Sequence, residues 1–163
     1  IIDYLNFSPQ IFGFFFFINV LFLIIGSAIN ALYVKKFGSE KMLFLGTLLA
    51  AIFGALTLMN ILIYPEMNYI TLVLITFFMP SVTITGANAT ASALNLFPKN
   101  IGSAAAALGF IQFTLGGISG YMVGEFYLIT YYSMGIVIGI SGLLSFLSYV
   151  LILGRNNMTF FSS

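Results

Sequence analysis

The chain has 163 residues, of which 61% are hydrophobic and 6% are charged, with a formal net charge of +1. Soluble domains carry charge on about a quarter of their residues, so this composition excludes a soluble fold and predicts an integral membrane protein. The chain contains no cysteine and no histidine, which excludes disulfides and thiolate or imidazole metal ligands. We therefore expect no metal site, no cofactor, no catalytic residues and no nucleic-acid partner.

Five hydrophobic segments, separated by short polar turns, are long enough to cross a bilayer. A helix rises about 1.5 Å per residue, so each segment can span a hydrocarbon core of about 30 Å. The predicted fold is an all-α membrane protein with five transmembrane helices in one domain, residues 1–163. The predicted spans are residues 10–34, 42–64, 70–95, 103–124 and 129–153.

The first two spans differ in the character of their faces. In the first, Asn19 and Gly26 belong to a small or polar face that we expect to point into the helix bundle. The second span is apolar on every face apart from Thr47, Thr57 and Asn60. A helix of this kind at the periphery of a membrane protein is exposed to lipid, so we predict a peripheral second helix.

The third span carries one continuous polar stripe. Its members recur every three or four residues and are Ser81, Thr85, Asn88, Ser92 and Asn95. On a helix this spacing places them on a single face. An amide such as Asn88 deep in the bilayer must find partners, either on neighbouring helices or on a substrate in a water-filled cavity. Both interpretations are open, and the length of the stripe favours the cavity.

The fourth span carries a face of small residues that includes one long polar side chain, Gln112. The predicted substrate-cavity residues are Asn19, Ser81, Thr85, Asn88, Ser92 and Gln112. Glycines let helix backbones approach closely, and the predicted helix-packing residues are Gly26, Gly109, Gly116 and Gly120. The pair Gly135 and Gly139 in the fifth span predicts internal packing in the same way.

One short motif suggests an enzyme. Gly117-Ile118-Ser119-Gly120 matches the core of an intramembrane serine protease. A serine nucleophile needs a base to accept its proton, and the chain has no histidine to serve as one. We therefore interpret the motif as small residues for helix packing.

Charges separate to the two sides of the predicted bundle. Basic residues fall on one side, at Lys35, Lys36, Lys41, Lys99 and Arg155, together with Glu40. The remaining acidic residues fall on the other side, at Asp3, Glu66 and Glu125. The positive-inside rule then predicts an external N-terminus and a cytoplasmic C-terminus. Because nothing at the start of the chain would direct an external N-terminus across the membrane, we expect this sequence to be a fragment of a longer protein. The alternative is an entire five-span protein with an unusual start.

Three stretches resemble the C-terminal half of major facilitator transporters, and in particular the drug:proton antiporters of the bicyclomycin-resistance type. These stretches are residues 8–14 with Asn19, residues 30–38, and Phe97-Pro98 with residues 102–104 and 109–113. The resemblance implies that the five spans are helices eight to twelve of twelve. It also implies that the third span borders the substrate cavity, that the first and fourth meet the other half of the protein, and that the second and fifth face lipid.

The resemblance implies a function and a set of partners. The expected function is proton-driven export of drugs or other small amphipathic molecules across the bacterial cytoplasmic membrane. The expected partners are the lipid bilayer, the substrate, and the missing N-terminal half with helix seven. No charged residue lies deep in a span, so the proton-coupling residues are expected in the missing half. The alternative is a non-transporting membrane remnant or a helical assembly subunit.

Overall fold

The computed structural model describes residues 9–64, 69–127 and 133–154, which fold into five long helices. The helices are α1 (Pro9–Phe37), α2 (Ser39–Ile63), α3 (Tyr69–Asn95), α4 (Ile101–Tyr127) and α5 (Ser133–Tyr149), which continues into a π-helical segment (Val150–Gly154). Each is long and apolar enough to cross a membrane, and the described residues contain no strand. The predicted all-α membrane fold is confirmed. The start of the predicted fifth span, residues 129–132, lies outside the described residues, as do Asp3, Glu66 and Arg155.

Two tight turns lie at the same end of the bundle. Gly38 alone separates α1 from α2, and its φ of 83° is in the left-handed region that glycine adopts without strain. The turn between α3 and α4 is closed by hydrogen bonds from Phe97 N to Leu94 O and from Asn100 N to Phe97 O. The four described basic residues flank or occupy these turns: Lys35, Lys36, Lys41 and Lys99. We call this the basic end.

Helix α2 lies between α3 and α5, and its inward half is buried. The three polar residues that interrupt its sequence, Thr47, Thr57 and Asn60, are 2%, 0% and 8% exposed. Only a strip that includes Ile52 and Leu56 is exposed. The sequence predicts a peripheral second helix exposed to lipid. The burial of its inward half contradicts the peripheral position, and only the exposed strip can face lipid. Packed helices and lipid tails are equally apolar, so a uniformly apolar sequence cannot distinguish them.

Glycines bring α2 and α5 into backbone contact. A β-carbon placed on Gly54 would lie 2.9 Å from the carbonyl oxygen of Gly139, and one placed on Gly139 would lie 2.9 Å from that of Gly54. One turn further along, Gly142 lies against the carbonyl of Ala50. This contact is the internal packing predicted for the glycines of the fifth span. Helices α2, α3 and α5 thereby form the closely packed part of the structure.

Helices α1 and α4 lie on the outside of this part. Helix α1 packs on α3, with the ring of Phe22 edge-on to that of Phe77 at a centroid distance of 5.3 Å. Helix α4 reaches α5 through the Ser133 hydroxyl, which donates to Val123 O over 3.2 Å. None of the described side chains of α4 is buried. Within the described ranges α1 and α4 do not contact each other.

Candidate membrane-embedded substrate site

Four of the five predicted members of the polar stripe of α3 are enclosed by α1 and α2, and we keep the name polar stripe for these four: Ser81, Thr85, Asn88 and Ser92. The fifth, Asn95, is exposed at the end of the helix. Ser81 is 0% exposed and Asn88 is 2% exposed, while Thr85 and Ser92 are half-buried. The predicted spacing therefore does place these four side chains on one face. That face packs against neighbouring helices of the same chain.

Asn88 is the centre of a small hydrogen-bonded network that joins three helices near the basic end. Its side-chain nitrogen donates to Asn30 Oδ1 on α1 over 2.5 Å and to Ile84 O over 2.7 Å. The Ser39 hydroxyl at the start of α2 donates to Asn88 O over 3.3 Å and lies 3.2 Å from the Ser92 hydroxyl. Both donors of the Asn88 amide group therefore have partners within the protein.

The other half of the stripe is closed off by α2. The Ser81 hydroxyl donates to Phe78 O over 2.6 Å, a bond within its own helix. Gly46 of α2 sits directly over Thr85, and a β-carbon there would lie 2.6 Å from Thr85 Oγ1. Thr85 Oγ1 is buried and has no hydrogen-bond partner among the described residues. Of the two interpretations of the polar stripe, this geometry favours partners on neighbouring helices. Contact of the stripe with a substrate stays a prediction.

A different row of α3 faces the gap between α1 and α4. Thr83 lies against Gly26 of α1, and the Thr90 hydroxyl accepts a hydrogen bond from Gln112 Nε2 of α4 over 3.4 Å. Ala87, which lies between these two threonines on the same helical face, is exposed. We call Thr83, Ala87 and Thr90 the open row. Gln112 is exposed beside it, so the structure places this predicted residue next to a surface that a ligand could reach.

Asn19 lies on the half-buried side of α1 and has a free acceptor. Its side-chain nitrogen donates to Phe15 O over 2.8 Å, within the same helix. Its side-chain oxygen is buried and has no hydrogen-bond partner among the described residues. A buried amide oxygen without a donor is costly in a membrane, where water cannot replace the missing partner. Asn19 is therefore placed to accept a hydrogen bond from a further helix or from a bound molecule.

The four predicted packing glycines have different surroundings. A β-carbon on Gly26 would lie 2.6 Å from the α-carbon of Pro80, so this glycine permits the close approach of α1 to α3. A β-carbon on Gly109, Gly116 or Gly120 would have no neighbour within 4 Å. Packing at these three glycines of α4 stays a prediction, because nothing within the described chain covers them.

Thr83 and Thr90 are absent from the residues predicted above. Each sits three or four residues from small neighbours, Gly86 and Ala87, in a row that is not conspicuously polar. The spacing of Thr83, Gly86 and Thr90 is helical, so a search for small and hydroxylated residues on one face would have found them. The polar stripe, on the opposite side of α3, contains more polar residues, and the predicted cavity residues of this helix therefore all lie there.

The interiors of the described spans carry no charged residue. The described charged residues, four lysines with Glu40 and Glu125, lie at or next to the ends of helices. No group of three or more potential metal ligands occurs in the described ranges. The site can therefore offer hydroxyl and amide groups on an apolar background, which suits a ligand with both apolar and polar parts.

The chain is similar to a bicyclomycin resistance protein homolog from Haemophilus influenzae. The two are 28% identical over 146 residues. The match covers 89% of this chain and 36% of the relative, so the chain spans about a third of that protein's length. No protein-family model matches the chain, and no solved structure matches it at a significant level. The similarity agrees with the bicyclomycin-resistance type suggested by the sequence stretches.

Proposed function

We propose that these five helices are part of a secondary active transporter that exports drugs or other small amphipathic molecules across the bacterial inner membrane. The similarity to a bicyclomycin resistance protein homolog supports drug export. In this proposal the helices are the eighth to twelfth of a twelve-helix major facilitator protein. The remaining helices complete the cavity, and the basic end is cytoplasmic.

The observation that carries the proposal is the open row on α3. A membrane-embedded strip with an exposed alanine, bordered by the Thr90 hydroxyl and the Gln112 amide, offers an apolar surface with neutral hydrogen-bonding groups. Transporter sites lie near the bilayer midplane where helices from different parts of the protein meet. The substrate would lie between the open row and the helices that complete the protein.

The closely packed part of the structure suits alternating access. Helices α2, α3 and α5 are held by glycine contacts and buried polar groups, so we infer that they move as one unit. The outer faces of α1 and α4 would meet the other half of the protein. Proton coupling in this proposal depends on residues outside the five helices, because the described spans hold no carboxylate in their interior.

The proposal is tested with everted membrane vesicles prepared from cells that produce the complete protein. The vesicles are energised, and their accumulation of ethidium, an amphipathic fluorescent probe, is followed. Thr90→Leu and Gln112→Leu should each lower the transport rate about tenfold at unchanged protein level, since losing one or two intramembrane polar contacts is worth about that factor. Phe113→Leu is the matched control, because Phe113 is 85% exposed on another face of α4.

Three outcomes would each contradict part of the proposal. If the wild-type protein transports neither ethidium nor bicyclomycin, the alternative of a non-transporting membrane protein is favoured. If a protonophore leaves transport unchanged, coupling to protons is wrong even though export is retained. Equal transport rates for Gln112→Leu and Phe113→Leu would show that the open row does not contact the substrate.

A further inference from the structure

A groove of about 400 Å³ lies between α3 and α4 at the basic end. Its walls are mostly apolar and include Ala93, Phe97, Ala104, Leu108 and Ile111. Asn100 and Ser103 line it at the end that opens towards the turn. We call this the α3/α4 groove. It is distinct from the open row, whose contact with α4 is made by Gln112.

The length of the groove corresponds to one leaflet of a bilayer. Along α4 it extends from Asn100 to Ile111, which at about 1.5 Å per residue is about 16 Å. A hydrocarbon core is about 30 Å thick, so one leaflet occupies about half of it. A groove that begins at the polar turn and ends near the midplane therefore matches an extended acyl chain of the leaflet at the basic end.

The charge at the mouth of the groove is positive. Lys99 lies in the α3–α4 turn, next to the groove residue Asn100, and the turn residues 96–100 include no acidic side chain. Lys35, Lys36 and Lys41 lie at the same end of the bundle, together with one acidic residue, Glu40. Basic groups next to apolar clefts between transmembrane helices attract anionic lipid headgroups.

We propose that the α3/α4 groove binds one acyl chain of an anionic phospholipid whose phosphate pairs with Lys99. The apolar walls of the groove bind the acyl chain, and Lys99 selects the anionic headgroup. The lipid fills a cleft that the two helices leave between them, and so stabilises α4, which contacts the rest of the described chain at few points. This inference does not depend on the transport function proposed above.

The test is native mass spectrometry of the full chain purified in detergent. It is titrated with phosphatidylglycerol and with phosphatidylcholine that carry the same acyl chains. The wild type should retain phosphatidylglycerol in preference to phosphatidylcholine. Lys99→Gln should weaken phosphatidylglycerol binding about fivefold, the effect expected of one lysine near an anionic headgroup, and leave phosphatidylcholine unchanged. Lys41→Gln, at the same end but outside the groove, is the matched control.

A second pair of variants tests whether the groove binds the acyl chain. Ala104→Leu places a larger side chain in the groove and should reduce binding of both lipids, whereas Ala106→Leu on the opposite face of α4 should not. Equal effects of Lys99→Gln and Lys41→Gln would overturn the headgroup assignment. Equal effects of the two leucine variants, or displacement of the lipid by ethidium but not by competing phosphatidylglycerol, would overturn the groove as a lipid site.

Discussion

Asn88 on α3 donates a hydrogen bond to the side-chain oxygen of Asn30 on α1, with 2.5 Å between the two atoms. Each residue belongs to a helix that is long and apolar enough to span the membrane. Because water is scarce there, the Asn30 oxygen gives the Asn88 nitrogen an acceptor within the protein, and the bond joins the two helices at one depth. The contact also fixes the rotation of α1 about its axis, because Asn30 and Gly26, four residues apart on one helical face, both contact α3.

The Asn30–Asn88 pair should make a measurable contribution to stability. Asn30→Ala, Asn88→Ala and the double variant form a cycle, and unfolding in mixed detergent and SDS micelles gives the free energies. We expect a coupling of about 0.6 to 1.7 kcal/mol, the range measured for polar contacts between membrane helices. Asn95→Ala, at the exposed end of α3, is the control. Strictly additive effects of the two substitutions would show that the pair does not couple the helices.

Gly54→Ala should destabilise the contact between α2 and α5. The new methyl group would lie 2.9 Å from a backbone oxygen of Gly139, which cannot rotate away, so the helices must separate. The expected loss in the free energy of unfolding is about 1 to 3 kcal/mol. Gly120→Ala is the matched control, because that position has no neighbour within 4 Å and alanine favours a helix by about 0.5 to 1 kcal/mol. A neutral Gly54→Ala would mean that α2 and α5 lie further apart.

Thiol reactivity should distinguish the polar stripe from the open row. The chain contains no cysteine, so single cysteines can be introduced without background. In the complete protein, Ala87→Cys should react with a small water-soluble methanethiosulfonate, and substrate should protect it. Ser81→Cys should be inert, because Ser81 is 0% exposed between helices. Faster reaction at Ser81→Cys than at Ala87→Cys would assign the cavity to the polar stripe, as the sequence predicts.

The orientation of the chain can be measured with an impermeant maleimide. Asn100 and Glu125 are exposed at opposite ends of α4. By the positive-inside rule Glu125→Cys should be labelled in intact cells, and Asn100→Cys only after the cells are made permeable. The opposite pattern would place the basic end outside the cell.

Gly116→Leu should affect transport without affecting the fold of the five helices. No described atom lies within 4 Å of a β-carbon on Gly116, so the free energy of unfolding of this chain should not decrease. In the complete protein the same substitution should abolish transport, because a side chain would be forced into the predicted seam with the other half. Leu115→Ala, at a neighbouring exposed position, should be tolerated. Normal transport by Gly116→Leu would show that this face of α4 meets lipid.

The membrane class and the five helices follow from the sequence alone. A segment inside a bilayer must pair all of its backbone groups internally, so length and apolar composition are enough to predict a helix. Helical spacing also groups side chains correctly, and Ser81, Thr85, Asn88 and Ser92 do share one face of α3. These properties are local, which is why composition and periodicity determine them.

What each face meets was decided only by the tertiary structure. The stripe of α3 packs against α1 and α2. The open row holds Thr90, whose hydroxyl contacts Gln112 of α4, more than twenty residues away in the chain. Helix α2 is apolar all round yet half buried, because an apolar side chain is equally compatible with lipid and with another helix. Inside a membrane the hydrophobic effect does not separate interior from exterior, so the packing of small residues such as Gly46 and Gly54 determines which faces meet.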